Sequence, residues 1–180
     1  MKNVISTICV FIITFSVSSQ VKTIKGPVFK DFGNVYKIKN PDLLLEKNKI
    51  YKVIFDVYTD VDDINEINPS INTVARFINM HAQNGVKLKD MEIVLVLHGK
   101  AIKNALNDGS FKKKYKISNP NAKLLTALKK ADVKTYVCAQ SLIHKGYHKN
   151  DLSNDVELSL SALTALVYYQ DKGYQLITFN

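Results

Sequence analysis

A chain of 180 residues is long enough for one compact domain with a sizeable hydrophobic core. Its 25 basic residues against 16 acidic ones give a formal net charge of +9 at pH 7, yet Arg76 is the only arginine and the lysines are scattered. Proteins that bind nucleic acid usually cluster arginine with stacking aromatic side chains, so we interpret the lysines as a solvated surface and expect no nucleic-acid partner.

Residues 1–19 have the pattern of a secretory signal peptide: a positive start, an apolar run, and small residues at Ser18 and Ser19 for cleavage. The run is short for a membrane span, and no comparable apolar segment follows it. We therefore expect a periplasmic or secreted protein with no membrane span after cleavage. Cys9 would leave with the signal, so Cys138 would be the only cysteine and no intramolecular disulfide could form.

Residues 20–49 predict an extended N-terminal arm, because their hydrophobic periodicity is weak and prolines 27 and 41 interrupt it. The domain then occupies residues 50–180 and begins with a β-branched, apolar strand at residues 51–58. The polar loop that follows lacks the glycine and the carboxylate spacing of a calcium-binding loop, so no metal is expected there.

The next segments alternate between helix and strand. Asn68 can cap a helix with Pro69 at its first position, and Gly85 is suited to its end. Residues 91–97 form a nearly continuous apolar run, which is typical of a strand covered on both faces. A short helix is predicted from Lys100, and the lysine-rich residues 111–116 are interpreted as a loop.

The last third of the chain continues the alternation. A helix from Asn119 leads to a strand at residues 133–138, a short helix, a strand "VELS", a long helix and a terminal strand "QLITF". In the long helix we assign the stripe of Leu163, Leu166 and Val167 to the core. The pattern predicts a mostly parallel sheet of about five strands with helices on both faces, in one domain.

Two reactive side chains end predicted strands, His98 and Cys138. Ligands of open parallel sheets gather at the carboxyl ends of the strands, so both side chains are expected on one rim. A helix start after Cys138 would lower the pKa of its thiol, although a lone cysteine at a strand end is also consistent with simple packing. Ser141 occupies the position of a resolving cysteine in a C-x-x-C pair, so a single-thiol sulfur carrier fits better than dithiol exchange.

The segment "VKTYVCAQSLIHKGY", residues 133–147, resembles the cysteine-bearing segment of the DsrE/DsrF-like sulfur-relay family, in which an apolar strand precedes a cysteine, small residues, a basic residue and a glycine. The resemblance extends to "EIVLVLHGKAI", "NPNAKLLTALKKADVKTYVC" and "SLSALTALVYYQDKGYQLITF", and covers about residues 50–180. It implies a three-layer α/β/α sandwich of the exported, single-domain type that forms homotrimers or hexamers.

The resemblance also implies roles for individual residues. In sulfur-relay members the cysteine matching Cys138 accepts persulfide sulfur from a donor and passes it to the next carrier. We assign Cys138 and His98 to catalysis, and Gly99, Gln140 and Ser141 to substrate binding. No metal or organic cofactor is needed. The expected partners are copies of the chain itself and a sulfur donor or acceptor, either a protein or a small sulfane-sulfur compound.

A second hypothesis is an exported small-ligand-binding or assembly module in which the cysteine is inert. We expect Cys138 to be an accessible thiol of low pKa, which favours sulfur chemistry. A Cys138 buried among neighbours such as Ile54, Val94 and Leu128 would favour the module. A third hypothesis, binding of polyanions or membrane surfaces through lysines, would show a steep salt dependence. Zinc binding by His144 and His148 is not favoured, because the intervening Gly146 ends the helix and no third ligand is evident.

Overall fold

Five parallel strands form a single sheet in the order β4-β3-β2-β1-β5 in the computed structural model, which describes residues 22–46 and 48–179. The strands are β1 (Tyr51–Val57), β2 (Met91–Leu97), β3 (Lys134–Cys138), β4 (Glu157–Ser159) and β5 (Gln175–Thr178). The α-helices are α1 (Pro69–Gln83), α2 (Asp108–Tyr115), α3 (Ala122–Lys130), α4 (Ala139–His144) and α5 (Ala162–Gln170). Short 3₁₀ helices span Leu88–Asp90, Gly99–Ala105 and Lys149–Asp151. The segment interpreted as a signal peptide, residues 1–19, lies outside the described residues.

The predicted α/β fold with a sheet between helices is confirmed, and every strand pair is parallel. Helix α5 contacts β1, β2 and β3 from one side, whereas α1 and α3 contact the sheet from the other. Because successive strand residues point to opposite faces, Phe55 and Leu95 pack towards α1 while Ile54 and Val94 pack towards α5. Burial on both faces explains the continuous apolar run of β2. Within the described residues, no helix has the length and apolar character needed to cross a membrane.

The interpretation of residues 111–116 as a loop is wrong, since most of this run belongs to α2. The Asn107 side chain caps the helix by accepting a hydrogen bond from the Ser110 backbone N–H at 2.8 Å. Phe111 anchors it in the core, and Lys116, at φ 67°, ends it in the left-handed conformation. The lysines of this helix stay exposed to solvent, so the expectation of a solvated basic surface holds here.

The assignment of the apolar stripe of α5 to the core is wrong for Leu163 and Val167, whereas Leu166 is partly buried and packs against the core on this face of the sheet. Leu163 and Val167 are exposed, and the helix instead buries Ala162, Ala165 and Tyr169 against the sheet. The two alanines let the helix axis approach the strands closely, and the larger side chains therefore face outwards. An apolar surface remains on the outside of α5.

Residues 24–35 of the N-terminal arm fold back on themselves in a turn that lies against α1, instead of forming the simple extended segment that the sequence predicts. Ile24 pairs with Val35 in an isolated antiparallel bridge, and the side chains of Phe29 and Val35 are buried. At Gly33, φ is 60° and an added Cβ would lie 2.3 Å from the backbone nitrogen of Arg76, so a glycine is required where the arm meets the helix. The arm is thus a folded part of the chain rather than a free tail.

Candidate functional site

The strand register brings His98 and Cys138 together at the carboxyl end of the sheet. Leu97 pairs with Val137, so the next residues of the two strands, His98 and Cys138, are neighbours. Alternation along the strands places both on the sheet face that α5 covers, since Val96 and Cys138 belong to the same core cluster there. The chain after β2 stays extended at His98, with φ −147° and ψ 179°. The structure therefore forms the common rim that the sequence predicts.

The Cys138 thiol is the N-cap group of α4. Its Sγ accepts a hydrogen bond from the Ser141 backbone N–H at 3.4 Å. Burial alone raises the pKa of the thiol, but hydrogen bonds from the side chain and backbone of Ser141 and from the backbone of Ala162 and Gln140 outweigh it. The pKa of Cys138 consequently lies below its ordinary value, which favours the thiolate.

Cys138 is not accessible, contrary to one of our expectations, because only 4% of the residue is exposed. It lies in an apolar cluster with Ile54, Val94 and Ala162, whereas Leu128 belongs to the core on the opposite face of the sheet. Ala162 is the first residue of α5, so the start of this helix contributes both to the cover of the thiol and to its hydrogen bonds. The Cys138 thiol is thus as buried as a residue that only fills space, yet it is surrounded by hydrogen-bond donors that stabilise a thiolate.

Asp56 is a site residue that the sequence analysis missed. Its Oδ1 lies 2.8 Å from His98 Nε2, and both side chains are largely shielded from solvent. The contact joins neighbouring strands, because Asp56 lies on β1 and pairs in register with Val96. The ring of Tyr58 packs against His98 with a centroid separation of 5.2 Å. The available signal was an acidic residue inside the apolar strand "YKVIFDV".

The three residues assigned to substrate binding have different surroundings. Gly99, at φ 55°, donates its backbone N–H to Ser141 Oγ at 3.2 Å, and the Tyr58 ring occupies the space where a Cβ would lie. Ser141 therefore joins the chain segment after β2 to the thiol of Cys138. Gln140 has an exposed side chain, and its contribution to the site is its backbone N–H.

Metal-binding clusters of three or more His, Cys, Asp or Glu side chains are absent from residues 22–46 and 48–179. His144 ends α4 and is exposed, whereas His148 caps the 3₁₀ helix Lys149–Asp151.

The model of the DsrE/DsrF-like family matches residues 52–179. The fold is similar to that of a protein of unknown function from Methanobacterium thermoautotrophicum, with 21% identity and a TM-score of 0.54. It is also similar to the ychN protein from E. coli, with 16% identity and a TM-score of 0.53. Each similarity covers 72% of this chain and 99% of the other. Among curated proteins, none has a sequence that matches this chain.

Proposed function

The chain belongs to the DsrE/DsrF-like family, and from this premise we propose that it is a sulfur carrier that holds a persulfide on Cys138. The observation that carries the proposal is the set of hydrogen bonds from Gln140, Ser141 and Ala162, which lowers the pKa of the buried thiol. We further propose that the carrier works in the periplasm or outside the cell, on the basis of the signal-peptide pattern of residues 1–19.

Loading of the carrier is a sulfur transfer without net oxidation. The Cys138 thiolate attacks the outer, sulfane sulfur of a donor persulfide, so that a new S–S bond forms as the S–S bond of the donor breaks. The donor leaves as a thiolate with the electron pair of the broken bond. Unloading reverses the roles: an acceptor thiolate attacks the outer sulfur, and Cys138 leaves as a thiolate. The backbone N–H groups at Cys138 stabilise the anion before and after each step.

The Asp56–His98 pair handles protons in this mechanism. The Asp56 carboxylate lies 2.8 Å from Nε2 and orients the ring, which leaves Nδ1 as the nitrogen available to the site. The His98 ring, which lies at the same rim as Cys138, can pass a proton to the departing thiolate. Because the start of α5 covers the thiol, a donor reaches Cys138 only when this helix turn opens.

Intact mass spectrometry after mixing with a small persulfide donor tests the proposal. We expect the protein to gain one sulfur atom, which a reductant removes again and which Cys138→Ser does not acquire. Circular dichroism spectra of the wild type and of Cys138→Ser show whether both proteins are folded in this comparison. If the wild type gains no sulfur while its thiol also resists alkylation until the protein unfolds, the proposal is wrong.

An inert, non-catalytic module remains the second candidate function, because Cys138 is almost fully buried in an apolar cluster. Under this alternative the cysteine only fills space between the sheet and α5. A thiol that reacts only with the unfolded chain would support the module, whereas a sulfur adduct on the folded chain would support the carrier.

We also propose that the chain forms a homo-oligomer through the outer face of α5. Three large apolar side chains of α5 are exposed, Leu163, Val167 and Tyr168, and Leu160 just before the helix is exposed as well. A helix that is apolar on every side normally has protein on every side, and a second copy would cover this face.

Replacing Leu163 with lysine is expected to reduce the molecular mass measured by light scattering to that of one chain, because a charge would be buried at the interface. Leu163 is 76% exposed in the single chain, so its replacement should not affect folding. The matched control is Leu43→Lys in the arm, where the side chain is 88% exposed and the oligomer should persist. An unchanged mass for the Leu163 variant would exclude this face as the interface.

A further inference from the structure

A cleft of about 440 Å³ opens at the carboxyl end of the sheet, beside the thiol site but separate from it. Its walls come from the loop after β1, the 3₁₀ helix Gly99–Ala105, and the carboxyl-terminal ends of α2 and α4. The volume falls within the range of about 300–1,000 Å³ that is usual for small-molecule sites. Neither Cys138 nor His98 lines it.

Positive charge dominates the lining of this cleft, which carries four lysines and two aspartates: Lys100, Lys103, Lys114, Lys145, Asp60 and Asp62. The side chain of Asp60 is almost fully buried, and its carboxylate lies 3.1 Å from the Lys103 ammonium group. The charges of these two residues therefore neutralise each other. Within the described part of the chain, no carboxylate lies within ion-pair distance of Lys100, Lys114 or Lys145. Three ammonium groups are therefore uncompensated, against the single carboxylate of Asp62.

Tyr115 and Tyr147 hold one of these ammonium groups, that of Lys114, in position. The Tyr115 and Tyr147 hydroxyl groups are hydrogen-bonded to each other at 2.8 Å, and the Lys114 ammonium lies 4.2 Å from the centroid of the Tyr147 ring. Burial raises the pKa of Tyr115 to about 12, so both hydroxyl groups stay protonated near neutral pH. One of the two hydroxyl protons is not used in the mutual bond and remains available to a ligand.

We propose that this cleft binds a small molecule that carries oxyanion groups with two or more negative charges. Ammonium and hydroxyl groups donate hydrogen bonds to phosphate or carboxylate oxygens, and the excess of positive charge favours a multivalent anion. Gly99 borders the cleft and donates to Ser141, which in turn bonds the sulfur of Cys138. A bound anion would thus lie next to the residue that holds the thiol, although its binding does not depend on sulfur transfer.

Isotope-labelled protein titrated with pyrophosphate or citrate, and followed by NMR, tests the proposal at constant ionic strength. We expect saturable shifts of the backbone amide signals around Gly99, Lys103 and Tyr147 for at least one of the two anions. Saturation by pyrophosphate alone would identify a phosphate ligand, and saturation by citrate alone a carboxylate ligand; either result supports the site. Constant ionic strength removes the general screening effect of added salt.

The double variant Lys100→Gln with Lys145→Gln should bind at least tenfold more weakly, since it removes two of the uncompensated charges. A matched control, Lys30→Gln with Lys123→Gln, removes the same charge from exposed positions outside the cleft and should bind like the wild type. Shifts that grow linearly with both anions, or an equal loss of affinity in the two double variants, would overturn the proposal. The lysines would then act only as a general basic surface.

Discussion

His98→Gln is expected to take up sulfur at Cys138 roughly a hundredfold more slowly than the wild type, because it lacks the imidazole that moves a proton in the proposed mechanism. Glutamine keeps the size and the hydrogen-bonding capacity of the side chain, so the strand end should stay intact. Asp56→Asn removes the charge 2.8 Å from the ring and should slow loading by a smaller factor. The measurement is the rate of mass gain with a persulfide donor in excess.

The control for this prediction is His144→Gln, which removes an exposed histidine at the end of α4. Loading by this variant should equal that of the wild type. Equal rates for the position-98 variant and the wild type would contradict a role for His98. Several unrelated variants of lower thermal stability provide a further comparison. If their loading rates fall with stability along the same trend as His98→Gln, position 98 acts only through folding.

The pH dependence of the loading rate tests the stabilised thiolate, because a cysteine that only fills space in the core would give no such profile. In the proposed mechanism the Cys138 thiolate is the nucleophile. Because the pKa of this thiol is lowered, the loading rate should rise and level off at a lower pH than for an ordinary cysteine. A wild-type profile that rises only at the pKa of an ordinary thiol would contradict the stabilised thiolate.

Asn79→Ala is expected to lower the free energy of unfolding by about 3 kcal/mol, because it breaks a buried hydrogen-bond network. Asn79 is 0% exposed, and its Oδ1 accepts from the backbone of Val28 and Phe29 at 3.1 and 2.9 Å. Its Nδ2 donates to the carbonyl groups of Phe29, Phe32 and Gly33 at 3.0 to 3.1 Å. One side chain thus connects α1 to most of the turn in the arm.

Urea or thermal unfolding measures this loss, and about 3 kcal/mol corresponds to a melting temperature lower by roughly 6–12 °C for a domain of this size. Limited trypsin digestion should also cleave the variant faster at Lys25 and Lys30 once the arm is released. The control is Asn72→Ala, which loses one bond to the Gly33 N–H at 2.8 Å and should cost only about 1 kcal/mol.

A double-mutant comparison separates the arm from the helix itself. In a chain without the arm, Asn79 would face water, and its replacement by alanine should have little effect on stability. The same loss of about 3 kcal/mol with and without the arm would refute the network and would place the effect within α1.

The order of strands and helices could be predicted from the sequence, because short-range patterns encode it. The apolar run of β2 and the cap formed by Asn68 and Pro69 before α1 depend on residues only a few positions apart. The parallel sheet and the shared rim of His98 and Cys138 follow from the alternation of these elements. Helix α2 was missed because lysines conceal its single buried anchor, Phe111, which periodicity alone does not reveal.

Only the tertiary structure could show which side chains the sheet brings together. Asp56 and His98 are separated by more than forty residues in the chain, and their contact depends on the register of β1 against β2. The burial of Cys138 depends on the start of α5, whose direction could not be predicted because the helix is apolar on all sides. The sequence by itself determined the family and most of the elements, α2 being the exception, since these follow from local patterns. The contact between Asp56 and His98, the cover over the thiol and the basic cleft were decided by packing between distant segments, which no local pattern specifies.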